Sequence, residues 1–357
     1  MIIALVESTI SLSCLMEAMK KQTFKFTTAS VDYYFNASIR QLKEIVDSTN
    51  AIIITDENIN ALHSAKFKGF KTIVLPAGEK YKNQATIDSV INQLIALQAD
   101  RKTTLIGIGG GIMTDMTGYV ASIYMRGIPF GFVPTTLLAM VDACIGGKNG
   151  VDVGIYKNMV GIIRQPNFLL YDISLLKTLP QADWSNGFAE IIKHACIKDA
   201  PMFKLLKENT LTKFQKNKEL LAKLVERNAR LKTKVVQLDE FEQGDRKLLN
   251  YGHTLGHALE NQYQLYHGQA VAIGMVYAGA ISKQLLKFKQ TEAIVEVLEK
   301  YGLPTKMDFD KTQAIAVLKM DKKREKSSIN YILLEKIGKG VIKQLPLSEI
   351  EQIIHSF

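Results

Sequence analysis

The chain has 357 residues, 47% hydrophobic and 22% charged, which is ordinary for a globular protein and enough for two domains with separate cores. Three scattered cysteines, Cys14, Cys144 and Cys196, form no disulfide framework and fit a reducing cytoplasm. No apolar run approaches the roughly 18 residues of a membrane helix, and the opening MIIALV, without a basic flank and interrupted by Glu7, argues against a signal peptide.

In chain order, residues 51–55 (AIIIT), 72–75 (TIVL) and 103–108 (TTLIGI) are β-branched runs that predict buried strands, with a helical pattern over 85–97 between them. Strands alternating with helices indicate a parallel α/β sheet. The third run leads into Gly107-Ile-Gly109-Gly110-Gly111-Ile112-Met-Thr-Asp115. Glycines there let backbone N–H groups approach a pyrophosphate, and a helix N-terminus favours negative charge. Ile112 stands where the last glycine of G-x-G-x-x-G belongs, so a tight strand-to-helix turn is the plainer alternative. Asp56 follows the first run and could take a ribose hydroxyl or cap a helix. Residues 130–133 and 168–171 are further strand candidates.

The character changes near Leu179–Pro180, which predicts one domain over 1–179 and a second over 180–357. The second is read as mostly amphipathic helices: 189–197, 202–239 with a break near Thr210, 253–263 and 270–288. A late strand pair, 329–334 and 340–344, flanks the turn 336–339. The formal charge of +10 fits either nucleic acid or an anionic small molecule. Much of the excess lies in one helical stretch through Lys204, Lys207, Lys213, Lys216, Lys218 and Lys223, with no nucleic-acid-binding motif, so it reads as a solvated face.

Three of the six histidines, His253, His257 and His267, fall within fifteen residues. His253 and His257 are four apart and share a helical face, a geometry suited to a divalent metal or a phosphate. Arg246 and Asn250 repeat that spacing just upstream. A carboxylate must complete a three-ligand site, and Glu190, with Lys193 beside it in an apolar stretch, is the best candidate. Cysteine ligands are disfavoured, since only Cys196 lies near a histidine, His194.

Taken together these motifs resemble the 3-dehydroquinate synthase family. The resemblance runs from Asp56 to Gly340 through seven ordered segments: PAGEKYK, GIGGGIMTD, YMRGIPFGFVPTTLLAMVDACIGGK with YKNMVG, GFAEIIK, RKLLNYGHTLGHALE, HGQAVAIGM and MDKK. It implies an N-terminal Rossmann-like NAD-binding domain, a C-terminal mainly α-helical metal-binding domain and a homodimer. Glu190, His253 and His267 match the metal ligands, zinc or cobalt, which makes His257 a substrate residue. Glu79, Lys82, Gly110, Gly111, Ile112, Asp115, Thr135, Thr136, Leu175 and Thr178 match NAD contacts, joined by Asp56. Asp142, Lys148 and Lys157 line the same cleft. Arg126, Lys148, Asn158, Asn250 and His257 match a phosphate pocket, together with Lys322 in preference to Lys323. Lys193, Lys232 and Arg246 match groups that grip the substrate carboxylate and hydroxyls, with Glu242 among them.

The implied reaction is the second step of the shikimate pathway toward chorismate and the aromatic amino acids: 3-deoxy-D-arabino-heptulosonate 7-phosphate becomes 3-dehydroquinate and phosphate. The substrate is an anionic sugar phosphate, and neither nucleic acid nor membrane is expected as a partner. Three departures stand out. Gln269 replaces the usual glutamate after His-Gly, which predicts a lost charge beside the metal. Residues 148–152 (KNGVD) differ from the usual pattern, and His194 replaces a common tyrosine. The first fifty residues match poorly. The competing readings are a related cyclase acting on sedoheptulose 7-phosphate or an amino analogue, a metal-dependent glycerol-type alcohol dehydrogenase, and a non-enzymatic nucleic-acid binder.

Overall fold

The computed structural model describes residues 18–154, 156–321 and 328–356. Its first half is a seven-stranded sheet. The strands are β1 (Lys20–Lys25), β2 (Ser30–Phe35), β3 (Ala51–Asp56), β4 (Lys71–Leu75), β5 (Thr104–Gly109), β6 (Phe130–Pro134) and β9 (Phe168–Leu170), in the order β1-β2-β9-β6-β5-β3-β4. All neighbours are parallel except the β1–β2 hairpin at the edge. Parallel strands buried on both faces need unbroken apolar runs, and Ala51–Asp56 is buried through its first five residues. Of the six strands with a parallel neighbour, β3, β4, β5, β6 and β9 were legible in sequence. The β1–β2 hairpin was not, because KKQTFK is polar and largely exposed.

The helices α1 (Leu42–Ile45), α2 (Glu57–His63), α3 (Gln84–Ala96) and α4 (Gly111–Ile123) connect the strands. A second hairpin, β7 (Lys148–Val153) with β8 (Tyr156–Ile163), leaves the sheet after β6. It was also missed from sequence. It is fastened to the 79–83 segment by the Asp152 N–H, which donates to the Lys82 carbonyl at 2.8 Å. Since β4 lies on one side of β3 and β5 on the other, the chain reverses direction between β3 and β5. Ligands of open α/β sheets bind beyond the strand carboxyl ends at such a switch point.

After β9 the chain is helical: α5 (Gln181–Lys198), α6 (Ala200–Glu208), α7 (Leu211–Lys216), α8 (Lys218–Leu238), α9 (His253–Tyr263), α10 (His267–Leu286), α11 (Thr291–Lys300), α12 (Lys311–Asp321) and α13 (Leu347–Ser356). The hairpin β10 (Ser328–Lys336) with β11 (Lys339–Pro346) carries the predicted late strand pair. The stretch 202–239 divides into three helices rather than one broken once, because Thr210 and Asn217 each cap a new helix. One apolar cluster runs continuously from Phe24 and Ile52 in the sheet to Phe188, Leu255 and Ile354 in the helices, so the two halves share a core. Cys144 and Cys196 are free and buried.

Candidate active site

At the switch point, Gly110 precedes the first turn of α4 and Gly111 opens it. A side chain on Gly110 would lie 3.1 Å from the Thr136 methyl, and one on Gly111 would lie 3.2 Å from Ala143, so the amides stay open to a ligand only with glycine there. Ile112 packs against the core, which explains why the last glycine of the usual pattern is dispensable. Asp56 caps α2, with Oδ1 accepting from the Ile59 N–H at 2.9 Å. The other oxygen faces the loop, 3.6 Å from where a Gly109 side chain would begin. The two roles offered by the sequence are therefore compatible.

Thr135 donates its backbone N–H to Gly109 O at 2.9 Å, while its buried hydroxyl has no hydrogen-bond partner among the described residues. Thr136 Oγ1 accepts from the Ala139 N–H at 3.1 Å. Thr178 meets His63 Nε2 at 3.0 Å. Leu175 is buried beneath the sheet, which leaves only its backbone to face a ligand. Lys82, also buried, donates to Asp115 Oδ2 at 2.7 Å and Asn158 Oδ1 at 2.6 Å. Burial opposes its charge, but Asp115 outweighs burial and raises its pKa. Asn158, assigned by resemblance to the phosphate pocket, thus faces the cofactor side. Glu79 and Lys157 are loosely paired at 3.9 Å.

Across from this edge, α5 carries Glu190 and Lys193 one turn apart, both buried and ion-paired with each other. Glu190 Oε1 lies 3.6 Å from His253 Nε2 and 3.4 Å from His267 Nε2. Neither Glu190 oxygen receives a hydrogen bond of acceptable geometry. Lys193 offsets the charge at Oε2, but Oε1, buried between two imidazole nitrogens, is costly there unless a second cation joins the three groups. The ligand atoms of these three residues lie within 4.8 Å of one another. One oxygen and two nitrogens suit zinc or cobalt. Burial and Lys193 hold the His253 ring well below its usual pKa, so it is neutral and able to bind a metal. His253 Nδ1 is 3.2 Å from Tyr251 O, which orients the ring.

Backbone packing produces this convergence. Gly252 adopts φ +80°, and a side chain on Gly274 would collide with Gly252 O. The turn before α9 can therefore press onto α10 and bring His253 to the start of that helix. His257 sits at the exposed rim, its ring centre 5.2 Å from that of His253. It forms a second possible group with Glu260 and His267 rather than with Glu190.

The same turn corrects one expectation. The helix of His253 does not extend back to Arg246. Asp245–Asn250 is a separate short helix, and the left-handed Gly252 ends any common face. Arg246 is nonetheless buried, donating to Gly146 O at 2.9 Å and to Glu240 O. It approaches Asp142, which is 2.8 Å from Lys232 Nζ, 3.7 Å from Lys193 Nζ and 3.3 Å from His194 Nε2. Burial opposes ionisation of Asp142, but Lys232 and Lys193 hold its pKa well below the usual range. Glu242 binds Lys148, and its Oε1 accepts from Asn250 Nδ2 at 2.8 Å.

Arg126 is not brought to this group. It follows α4 at the amino edge of the sheet, the opposite edge from Gly111, exposed and without an ion pair among the described residues. A 13-residue helix separates the two ends, about 20 Å. Lys322 and Lys323 lie outside the described residues. Gln269 lies in the first turn of α10. Its Oε1 accepts from the Tyr266 N–H at 3.2 Å, which caps α10 and directs the side chain to the helix start. Two residues that the sequence reading passed over join the site. Glu260 accepts from His267 Nδ1 at 3.1 Å, and Asn228 meets His194 Nδ1 at 3.2 Å. Glu260 lies seven residues after His253, a helical spacing that could have revealed it.

Residues 72–186 match the family described as 3-dehydroquinate synthase N-terminal, and residues 187–324 match 3-dehydroquinate synthase C-terminal. A curated 3-dehydroquinate synthase from Campylobacter curvus (strain 525.92) is 41% identical over 338 residues, covering 91% of this chain and 96% of that protein. Among solved structures, a 2-deoxy-scyllo-inosose synthase complexed with carbaglucose-6-phosphate, NAD+ and Co2+ has a TM-score of 0.84 at 24% identity. It covers 94% of this chain and 100% of that one. A 2-epi-5-epi-valiolone synthase from Streptomyces hygroscopicus subsp. jinggangensis 5008, with NAD+ and Zn2+ bound, has a TM-score of 0.83 at 25% identity, covering 94% and 98%.

Proposed function

The chain belongs to the 3-dehydroquinate synthase family, and from that premise we propose that it converts 3-deoxy-D-arabino-heptulosonate 7-phosphate to 3-dehydroquinate and phosphate, a carbon–oxygen lyase reaction. The observation that carries the chemistry is Glu190, a buried carboxylate paired with Lys193 at Oε2, whose Oε1 faces His253 and His267 without a hydrogen bond among the described residues. Those three residues would hold one zinc or cobalt ion, and the glycine loop with Thr135, Asp56 and Lys82 would hold NAD. When bound, the metal and NAD supply polarisation of a substrate hydroxyl and a reversible hydride acceptor.

The chain's own residues position and neutralise the substrate. Lys193, Lys232 and Arg246 form a buried cationic wall suited to its carboxylate, which a guanidinium can hold by two parallel bonds. Asp142 keeps the two ammoniums at fixed places. Lys148 and Asn250, drawn together by Glu242, face the phosphate with His257. Arg126 cannot reach this pocket within its own chain, so its assignment requires a second copy to supply it. We place the domain boundary between Leu179 and Pro180, ahead of α5, and assign the enzyme to the cytoplasm.

The test is incubation of the protein with the heptulosonate phosphate, NAD and zinc or cobalt. Phosphate and dehydroquinate should appear in equal amounts, with no build-up of NADH. Stoichiometric NADH would point to a dehydrogenase instead.

A further inference from the structure

Glu260 has no role in the assignments implied by the resemblance, yet it occupies a junction. It is 7% exposed and uses both oxygens. Oε2 lies 3.1 Å from His267 Nδ1, and Oε1 lies 2.6 Å from Lys157 Nζ. Lys157 belongs to β8, the arm that packs on the cofactor side, and its ammonium is also 3.9 Å from Glu79. The other nitrogen of His267 points to Glu190 at 3.4 Å. A carboxylate at Nδ1 keeps the proton on that nitrogen and leaves the Nε2 lone pair for a cation. Gln269 cannot do this, because its side chain is committed to the start of α10.

We propose that Glu260 is a positioning residue of the metal centre, and that its ion pair with Lys157 couples metal affinity to the β7–β8 hairpin. This inference rests on the metal reading given above. Its specific consequence is that Lys157, which touches no proposed metal ligand, changes metal affinity through Glu260.

The experiment titrates chelator-stripped protein, without NAD, with Zn2+ against a chromophoric competitor, and records the visible absorption of the Co2+ form. Far-UV circular dichroism checks folding. Glu260→Ala should weaken metal binding roughly 10–100-fold and alter the Co2+ spectrum. Glu260→Gln should lose less, because its amide oxygen still accepts from His267. Lys157→Met should weaken binding by roughly the same modest factor as Glu260→Gln. The double variant Glu260→Gln/Lys157→Met should be no weaker than the worse single one, as expected for residues acting through one contact. Wild-type affinity and spectrum in a folded Glu260→Ala protein would overturn the positioning role. If that variant does not fold, wild-type affinity in Glu260→Gln and Lys157→Met would do the same. Additive losses in the double variant would overturn the coupling. A wild-type protein that binds neither ion would instead remove the metal reading itself.

Discussion

Along the carboxyl edge of the sheet, the candidate cofactor contacts are mostly backbone amides at Gly110 and Gly111, the Thr135 hydroxyl and the capping carboxylate of Asp56. On the helical side the corresponding groups are whole charges: Glu190, Lys193, Lys232 and Arg246, none more than 7% exposed. Backbone amides and small residues are in place once the strand-to-helix turn forms, and among the described residues the one largely buried charge pair on this side is Lys82 with Asp115. Buried charges depend on one another. Removing one partner leaves the other uncompensated, at a cost of about 3–5 kcal/mol. The helical side should therefore be far less tolerant of substitution than the sheet side.

The sharpest break should come at the metal ligands. His253→Ala and His267→Ala should each lose the metal, measured by elemental analysis after gel filtration, and turnover should fall by at least roughly 10³-fold, beyond the usual effect of one electrostatic contact. His257→Ala should keep the metal and turn over poorly. Loss of metal in that variant would mean the rim histidine is a ligand. Full activity of verified metal-free protein would contradict the whole assignment.

A smaller effect should mark the cationic wall. Arg246→Ala should lower kcat/KM for the acid substrate by roughly 10–10²-fold, from about 1.5–3 kcal/mol per charged hydrogen bond, while metal and NAD still bind. Sedoheptulose 7-phosphate, which lacks the carboxylate, should be a poor substrate for the wild type. Equal turnover of the two would favour the related-cyclase reading.

On the sheet side, Thr135→Val should weaken NAD binding only about 5–10-fold, the worth of one neutral hydrogen bond, and leave metal content unchanged. A loss as large as that at Arg246 would erase the contrast between the two sides.

The smallest effect lies at the seam. Glu240 accepts from Thr28 Oγ1 at 2.7 Å and Gln165 Nε2 at 2.8 Å, joining the β1–β2 edge to the backbone that holds Arg246. Burial opposes its ionisation, but these donors win and lower its pKa. Its contribution to stability is present above the unfolded value near 4.5 and is lost as pH falls through the lower folded value. Glu240→Gln should therefore reduce Tm by a few degrees at pH 7, with the difference from wild type shrinking in acid. A constant difference across that range would show that the carboxylate charge does not matter.

The parallel strands were readable because strands covered on both faces must be apolar throughout, and AIIIT and TTLIGI carry that demand in their composition. The grouping of Glu190, His253 and His267 followed from motif order, since few residue types can bind a metal; local spacing alone paired His253 with His257. The β1–β2 and β7–β8 hairpins were not readable, since one strand of each, KKQTFK and YKNMVGII, is largely exposed and carries no clean alternation, and the pairing is held by cross-strand hydrogen bonds that leave no mark on one segment alone. Residue spacing also suggested a continuous helix from Arg246 to His253. Contact with α10 overrode it, because Gly252 must take a left-handed backbone to fit against Gly274. The orientation of Gln269, the junction at Glu260 and the distance of Arg126 from the pocket were likewise decided only in three dimensions. Each depends on which distant backbone a side chain meets, and no local pattern encodes that.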